Sequence, residues 1–332
     1  MADPGAGIGG GWAQGIEGVA GKAGSANHGG VRSPGEAGGL FSSEFAGGDP
    51  AMIGCLRRVL AVAGNTFLEA VRQKVFAVLL LFGLVMVGGA NYFTEFSYQE
   101  QFKFLKDLGY ASIGLTGLLI GLLGAAQLIP GEIEKRTILT ALCRPLRRWE
   151  FIWGKYLGLL CLLSLMVGIM AVAVWGVLHW KESQLIASEG SDPAVADLIR
   201  AEARDPRMLQ AVLLVGVKLA VVAAMAVFFS TIATSTTFVI AMTLLVYLIG
   251  HLQSVAREQW MESGEATRWV VKSFLVLVSL LIPDFNLYNL IDEIVAGNVV
   301  HWKSTLEVAG YSMVYIFILL GAATLTFEGR DI

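Results

Sequence analysis

Charged side chains are concentrated between residues 132 and 155, and their types and spacing give this segment the clearest capacity for chemistry. Carboxylates and guanidinium groups that lie close together can form ion pairs and charge-assisted hydrogen bonds with another protein. The segment lies between two apolar runs, each long enough to cross a bilayer. Its charge is therefore held at a membrane surface, where a membrane protein can meet a soluble partner.

The residue order within this segment predicts a short helix that lies along the membrane. Pro130 ends the preceding apolar run, because proline removes a helical hydrogen bond. Glu132 and Glu134 then fall in the first turn of a new helix, where carboxylates complement the helix dipole. Arg144 and Pro145 end that helix before the next apolar run begins. A partner that pushes on such a helix would move the spans on both sides; a solvated charged loop is the alternative interpretation.

Several other chemistries lack the residues that they require. The sequence contains no GxxxxGK[ST] pattern, so the chain has no P-loop and we do not expect it to hydrolyse ATP. An intramembrane metalloprotease would need paired histidines at helical spacing together with an acid, and a proton- or sodium-coupled carrier usually needs an acid at membrane depth. No predicted span contains Asp or Glu. The histidines all lie in loops or at span ends: His28, His179, His251 and His301.

The composition is that of an integral membrane protein. Of the 332 residues, 55% are hydrophobic and only 15% are charged, which is more apolar surface than a soluble domain of this length can bury. The net charge of −3 gives no indication of nucleic acid as a partner. The three cysteines form no CxxC pair, so we do not expect a disulfide framework.

Six apolar stretches are predicted to cross the membrane, since the hydrocarbon core needs about 20 residues of helix. Residues 208–252 are too long for a single helix, and the hydroxyl residues between Ser230 and Thr237 favour a tight turn near the middle. We therefore divide this stretch into two spans. The predicted spans are residues 75–92, 111–129, 156–178, 208–229, 231–252 and 308–327. The predicted fold is all-α and embedded in a membrane.

Two segments precede the first span. Residues 1–50 are rich in glycine and lack a periodic apolar pattern, which predicts a disordered tail. Residues 51–74 have apolar positions at helical spacing, which predicts an amphipathic helix at the membrane surface. Those positions are Ile53, Leu56, Leu60, Ala63 and Phe67. Because Thr66 to Glu69 fits a capping box, one interpretation has a helix end near Gly64 and another begin at Thr66; the alternative is one continuous helix.

Residues 269–282 form a shorter apolar run that carries Lys272 and stops before Pro283. A run of this length is too short to cross a bilayer unaided. We predict a re-entrant or interfacial segment before span six, with its backbone buried in protein. A seventh span is the alternative.

Basic residues near the spans predict the orientation of the chain. Several lie between Arg57 and Lys74 before span one, and more lie between spans two and three. Acidic residues outnumber basic ones between His179 and Arg207, and again between spans five and six. We expect the basic segments and both termini to be cytoplasmic, in a multi-pass protein of the plasma membrane, which is the inner membrane in bacteria.

Lys218 is the one ionisable residue inside a predicted span. A charge at membrane depth is costly unless it is paired or lies near the interface. A lysine in the outer part of span four can extend its ammonium group to water. The other interpretation is a charge that faces a central cavity on a translocation path.

The order of these features resembles the permease subunits of ABC-2 type transporters over about residues 55–332. Residues 65–72 resemble the helix with which that family begins, residues 282–287 resemble the segment before its last span, and residues 327–331 resemble its charged end. Many relatives have glycine where this chain has Arg136. The positions that match the family's coupling segment are Glu132, Glu134, Lys135, Arg136, Thr137, Pro145, Arg148, Gly154 and Lys155.

The resemblance implies the membrane-spanning subunit of an exporter. Two such subunits would pair in the lipid bilayer, as a homodimer or a heterodimer, and separate ATPase subunits would carry ATP and magnesium. This chain would then need no cofactor of its own and would not be an enzyme. The implied ATPase contacts of the cytoplasmic coupling helix are Glu132, Glu134, Arg136, Thr137, Arg144, Pro145 and Arg148. A membrane anchor or assembly factor that transports nothing is the alternative function, and the sequence does not identify a substrate.

Overall fold

A computed structural model of the chain describes residues 50–93, 101–131, 147–189, 193–261, 273 and 282–329. Over these residues every regular element is a helix, and six helical segments are long and apolar enough to cross a membrane. The predicted all-α membrane fold is confirmed. The elements are α1 (Pro50–Arg72), α2 (Lys74–Phe93), α3 (Gln101–Leu128), α4 (Arg148–Glu189), α5 (Pro193–Ala203), α6 (Met208–Ile232), α7 (Thr236–Met261), a 3-10 turn (Phe285–Asn289), α8 (Leu290–Val295) and α9 (Trp302–Glu328).

Exposed tryptophans mark where α4 meets the two surfaces of the membrane. Trp149 and Trp180 lie near opposite ends of this helix, and the interval between them corresponds to about 46 Å of α-helix. A bilayer with its headgroups is about 40–45 Å thick, and tryptophan is enriched at its interfaces. We call the end of the bundle at Trp149 the inner end and the end at Trp180 the outer end, after the predicted orientation.

α6 is the central helix of the bundle and contacts α3, α4, α7 and α9. All of its residues from 219 to 227 are buried, and alanine recurs among them. Small residues let neighbouring helices approach closely in a membrane. By contrast, α2 and α7 leave most of their apolar surface exposed, as at Leu81 and Leu248. Such surface is suited to contact lipid or another subunit.

The break before the first span falls at Gln73. α1 continues past Gly64 without interruption, so the predicted boundary at Gly64 and Thr66 is wrong, and Thr66 lies buried inside α1. At the break, the Gln73 N–H donates to the Ala70 carbonyl at 3.0 Å, and the Phe76 N–H donates to the Gln73 carbonyl at 3.2 Å. These tighter bonds, which span three residues, turn the chain into α2.

α1 has two apolar faces with different surroundings. One face packs on α4 through Val59, Ala63 and Ala70, which are buried. Leu56 and Leu60, which belong to the apolar pattern seen in the sequence, are exposed on another side of the helix. The predicted apolar stripe is therefore divided between a protein-facing surface and a surface suited to lipid.

Gly154 and Gly158 allow α1 and α4 to approach closely. A Cβ atom at Gly158 would lie 2.7 Å from the Ala63 carbonyl oxygen, and one at Gly154 would lie 2.6 Å from Cβ of Val62. The Ala63 oxygen belongs to the backbone, so a side chain at Gly158 could fit only if the two helices moved apart. The resemblance to a family motif singled out Gly154; the structure gives that glycine a packing role.

Other predicted boundaries shift at the span ends. Span two begins at Gln101 rather than at residue 111, and span three extends over Arg148–Glu189. The turn between spans four and five falls at residues 233–235, within the hydroxyl cluster that predicted it but later than the predicted division at residue 230. The Ser235 hydroxyl accepts a hydrogen bond from the Phe238 N–H at 3.3 Å. Residues 1–49 of the tail predicted over 1–50, the coupling helix predicted over 132–143 and nearly all of 269–282 lie outside the described residues.

We expect Gly158→Val to separate α1 from α4 and to lower the stability of the purified protein by about 1–3 kcal/mol, as overpacking does elsewhere. Gly168→Val is the matched control, because a Cβ atom at Gly168 of the same helix would meet nothing within 4 Å. Thermal unfolding in detergent, followed by intrinsic fluorescence, measures both variants. Equal midpoints for the two variants would contradict the close approach of the helices.

Candidate functional site

The inner end of α4 carries a buried carboxylate. Glu150 lies in the first turn of α4 with its side chain fully buried. Arg58 of α1 binds both of its oxygens, with Nε donating to Oε2 at 3.0 Å and Nη2 to Oε1 at 2.9 Å. The Arg147 backbone N–H also donates to Oε2, at 3.3 Å. A paired guanidinium and carboxylate fix relative orientation as well as distance, so α1 is held to the start of span three.

Arg148 joins the same end of α4 to the last turn of α9. Its Nη1 donates to the carbonyl oxygens of Phe327 at 2.9 Å and Glu328 at 2.8 Å. Its guanidinium carbon lies 6.0 Å from the centre of the Phe327 ring, and that ring stacks on Phe151 with 6.1 Å between centroids. A cation beside the last carbonyls of a helix is favoured by the helix dipole.

We call the contacts of Arg58, Glu150 and Arg148 the inner junction. It connects α1, α4 and α9 through two residues, 148 and 150, in the last part of the charged segment. Arg148 is the predicted coupling residue that falls within the described ranges, and its contacts are made within this chain. The other predicted coupling residues lie outside the described ranges: Glu132, Glu134, Arg136, Thr137, Arg144 and Pro145.

Sequence reasoning did not find the pairing of Arg58 with Glu150. The two residues are 92 positions apart, and each has an ordinary local explanation: Arg58 as a basic residue before a span, and Glu150 as an acid in a first helical turn. The available signal was that Glu150 stands at the edge of a membrane span, where a carboxylate needs a partner. A single sequence does not say which of the nearby arginines supplies it.

A second polar site lies at the outer end of the bundle. It is a cavity of about 480 Å³ between α3, α6, α7 and α8, and we call it the outer cavity. The polar residues that line it are Asp107, Tyr110, Lys218, Tyr247, His251, Tyr288, Asn289 and Asp292.

Lys218 extends from α6 into the outer cavity. Its Nζ lies 3.2 Å from Nε2 of His251 and 5.7 Å from the centre of the Tyr247 ring. Because an ammonium group can only donate, Nε2 of His251 must accept this hydrogen bond and carries no proton. The cation therefore faces a polar cavity inside the bundle. Sequence analysis singled out Lys218, but not the residues from α7 and α8 that surround it.

Aromatic side chains close one side of the outer cavity. Phe285 of the 3-10 turn is fully buried, with its ring centroid 5.0 Å from that of Tyr247 and 5.5 Å from that of His251. Tyr288 hydrogen-bonds to the Ser312 hydroxyl of α9. Burial raises the pKa of Tyr288 to about 12, so its phenol remains protonated at neutral pH. The turn is therefore anchored to both α7 and α9.

Neither site is a candidate metal centre in the described part of the chain. Among the described residues, no three His, Cys, Asp or Glu side chains are close enough to hold a metal ion. The inner junction instead connects helices through charged contacts, and the outer cavity presents mixed charge at membrane depth. Six helical segments that are long and apolar enough to cross a membrane define a multi-pass membrane protein.

The family comparison makes this assignment more specific. The profile of the ABC-2 family transporter proteins matches residues 60–332, which is most of the chain. The chain belongs to this family, as the sequence resemblance predicted, and it is a permease component of an ABC transporter rather than a catalytic subunit. A comparison with functionally curated proteins finds no match.

We expect Arg58→Gln to lower the thermal unfolding midpoint by several degrees, because it leaves the buried Glu150 carboxylate without the guanidinium group that pairs with it. Glu150→Gln removes that charge, so the double variant should be more stable than the sum of the two single effects predicts. Arg57→Gln, which removes an adjacent exposed charge, is the control. Strictly additive effects of the Arg58 and Glu150 substitutions would contradict their coupling.

Proposed function

We propose that this chain is the membrane-spanning subunit of an ATP-driven exporter, and that residues 130–155 couple it to a separate ATPase. ATP and magnesium would bind to that partner. Two permease subunits, identical or different, would pair in the plasma membrane, with the chain termini in the cytoplasm. Membership of the ABC-2 family supports a dependence on an ATPase, and the basic residues before span one support this orientation.

The observation that carries the coupling proposal is the inner junction. Glu150 and Arg148 lie in the last part of the charged segment, and they bind α1 and α9 respectively. A force on residues 132–146 would therefore act on the start of α4 and, through these contacts, on two further helices. A flexible attachment would dissipate such a displacement; a buried carboxylate and a two-carbonyl contact resist it.

The proposed transport role of Lys218 follows from its position. It is a cation in a polar cavity among membrane-spanning helices, and ionisable residues at such depth generally mark substrate or ion pathways. Its place in the translocation path is part of the proposal. The outer cavity would then be the part of that path nearest the outer surface.

Charge reversal in the coupling segment tests the proposal. We expect the wild-type chain, purified from its native membrane in mild detergent, to retain a P-loop ATPase in stoichiometric amount. Arg144→Glu should insert normally but lose most of the bound ATPase, or most of its stimulation, because a rim charge in the predicted contact is reversed. Lys303→Glu reverses an exposed charge near the outer end and is the matched control.

Unchanged ATPase binding and stimulation in Arg144→Glu would contradict the assignment of the segment. If no ATPase accompanies the wild-type chain under conditions where a known ABC complex survives, the proposal fails as a whole. A membrane anchor that uses the same fold would then be favoured.

Arg148→Lys separates charge from geometry at the inner junction. Lysine keeps the positive charge but cannot reproduce a planar guanidinium that serves two carbonyls. We expect this variant to bind the ATPase normally and to lose at least half of the nucleotide-dependent transport or stimulation. The measurement is ATPase activity of the complex in proteoliposomes, with bound ATPase quantified in the same sample. Loss of binding instead would mean that Arg148 contacts the ATPase directly.

A further inference from the structure

Among the residues that the structure describes, the ammonium group of Lys218 has no carboxylate within salt-bridge distance in the outer cavity. Its polar contact is with the neutral nitrogen of His251, and the Tyr247 ring face adds a weaker attraction. In the described part of the chain, no carboxylate pairs with Lys218 as a salt bridge; Asp292 acts on it only as a longer-range charge. A half-buried cation at membrane depth without a paired anion is costly. The pocket is therefore electrostatically incomplete around Lys218.

Negative charge is found instead at the mouth of the outer cavity. Asp107 and Asp292 line the cavity and are exposed, whereas Lys218 and His251 are half-buried. The deeper part thus carries a positive charge, and the mouth carries negative charge. A simple anion would be attracted by Lys218 but repelled by the negative charge at the mouth. A simple cation would be attracted at the mouth but repelled by Lys218. A molecule with both charges matches the two ends together.

We propose that the outer cavity binds a zwitterionic group, with its phosphate or carboxylate at Lys218 and its ammonium at Asp292. The anionic end would receive the remaining N–H donors of Lys218, and the cationic end would lie beside Asp292 at the mouth of the cavity. A volume of about 480 Å³ lies within the range of small-molecule pockets. This inference rests on the proposed function in one respect, since it names the class of molecule that the transport path would accept.

Two sources can supply this chemistry, a free small zwitterion or the headgroup of a zwitterionic lipid. The cavity lies beside helices that face the membrane, so both can reach it. The test therefore has two arms. It uses the full chain without an ATPase. Zwitterion binding is therefore measured independently of any coupling between this chain and an ATPase.

The first arm measures the thermal unfolding midpoint of the detergent-purified chain with increasing phosphorylethanolamine or β-alanine, and with inorganic phosphate or ethanolamine as single-charge probes. We expect saturable stabilisation by at least one zwitterion and by neither single-charge probe. Lys218→Met should weaken the zwitterion's apparent affinity at least tenfold, since it removes a charge-assisted contact. Lys303→Met, which removes an exposed outer lysine, should leave it unchanged.

Asp292→Asn provides an independent variant should Lys218→Met fail to fold. It should weaken zwitterion binding and improve the binding of inorganic phosphate, because it removes negative charge from the mouth. The second arm places the chain in nanodiscs of phosphatidylglycerol with or without phosphatidylethanolamine and counts retained lipids by native mass spectrometry. Retention of phosphatidylethanolamine that Lys218→Met abolishes would assign the site to a lipid headgroup.

Each possible result either supports the proposal or overturns a stated part of it. Zwitterion binding that depends on Lys218 in either arm supports the proposal and identifies its source. Inorganic phosphate that binds as well as phosphorylethanolamine would overturn the zwitterionic assignment. Binding that survives both Lys218→Met and Asp292→Asn would overturn the location, and no binding in either arm would overturn the proposal itself.

Discussion

Burial of the Glu150 carboxylate at the inner end of α4 constrains much of this structure. A carboxylate removed from water must find donors, and here they come from Arg58 of α1 and from the Arg147 backbone. This requirement fixes the position of α1 along α4. The glycines at 154 and 158 then allow the helices to meet so closely that the pairing is made at hydrogen-bond distance. Charge and packing thus specify the same register.

The membrane-spanning helices could be predicted from the sequence, because each depends on the length and hydrophobicity of one continuous run of residues. A run of apolar residues long enough to cross a bilayer defines a helix whatever its neighbours are, and the six predicted spans correspond to six helical segments. The ends of the helices were less readable. At Gln73 no glycine or proline announces the break, while the capping pattern at Thr66 lies within a helix that tertiary packing keeps intact. The local sequence pattern predicts a helix boundary at Thr66, but the helix continues through this position, where α1 packs against α4.

The candidate sites were only partly readable, for a related reason. Lys218 could be found because a charge inside an apolar stretch is unusual, but its neighbours His251 and Asp292 are unremarkable until the fold brings them to one cavity. Arg148 could be found through its place in a charged motif. Its contact with the carbonyls of Phe327 and Glu328 could not, since backbone acceptors carry no sequence signal. The identity of a residue is visible in one sequence, whereas its partner across the bundle is not.

α9 contacts both the inner junction and the outer cavity, so it links the two sites mechanically. At its inner end it is held by Arg148. Next to that contact, Thr326 hydrogen-bonds to Thr231 of α6 at 2.9 Å. Toward the outer end of α9, Ser312 binds Tyr288 in the wall of the outer cavity. A helix resists stretching and compression along its axis, because its backbone hydrogen bonds run nearly parallel to that axis with several in every turn. A displacement of α4 that keeps its contacts with α9 would therefore reach the wall of the outer cavity through contiguous packed groups, which can carry energetic coupling between distant sites.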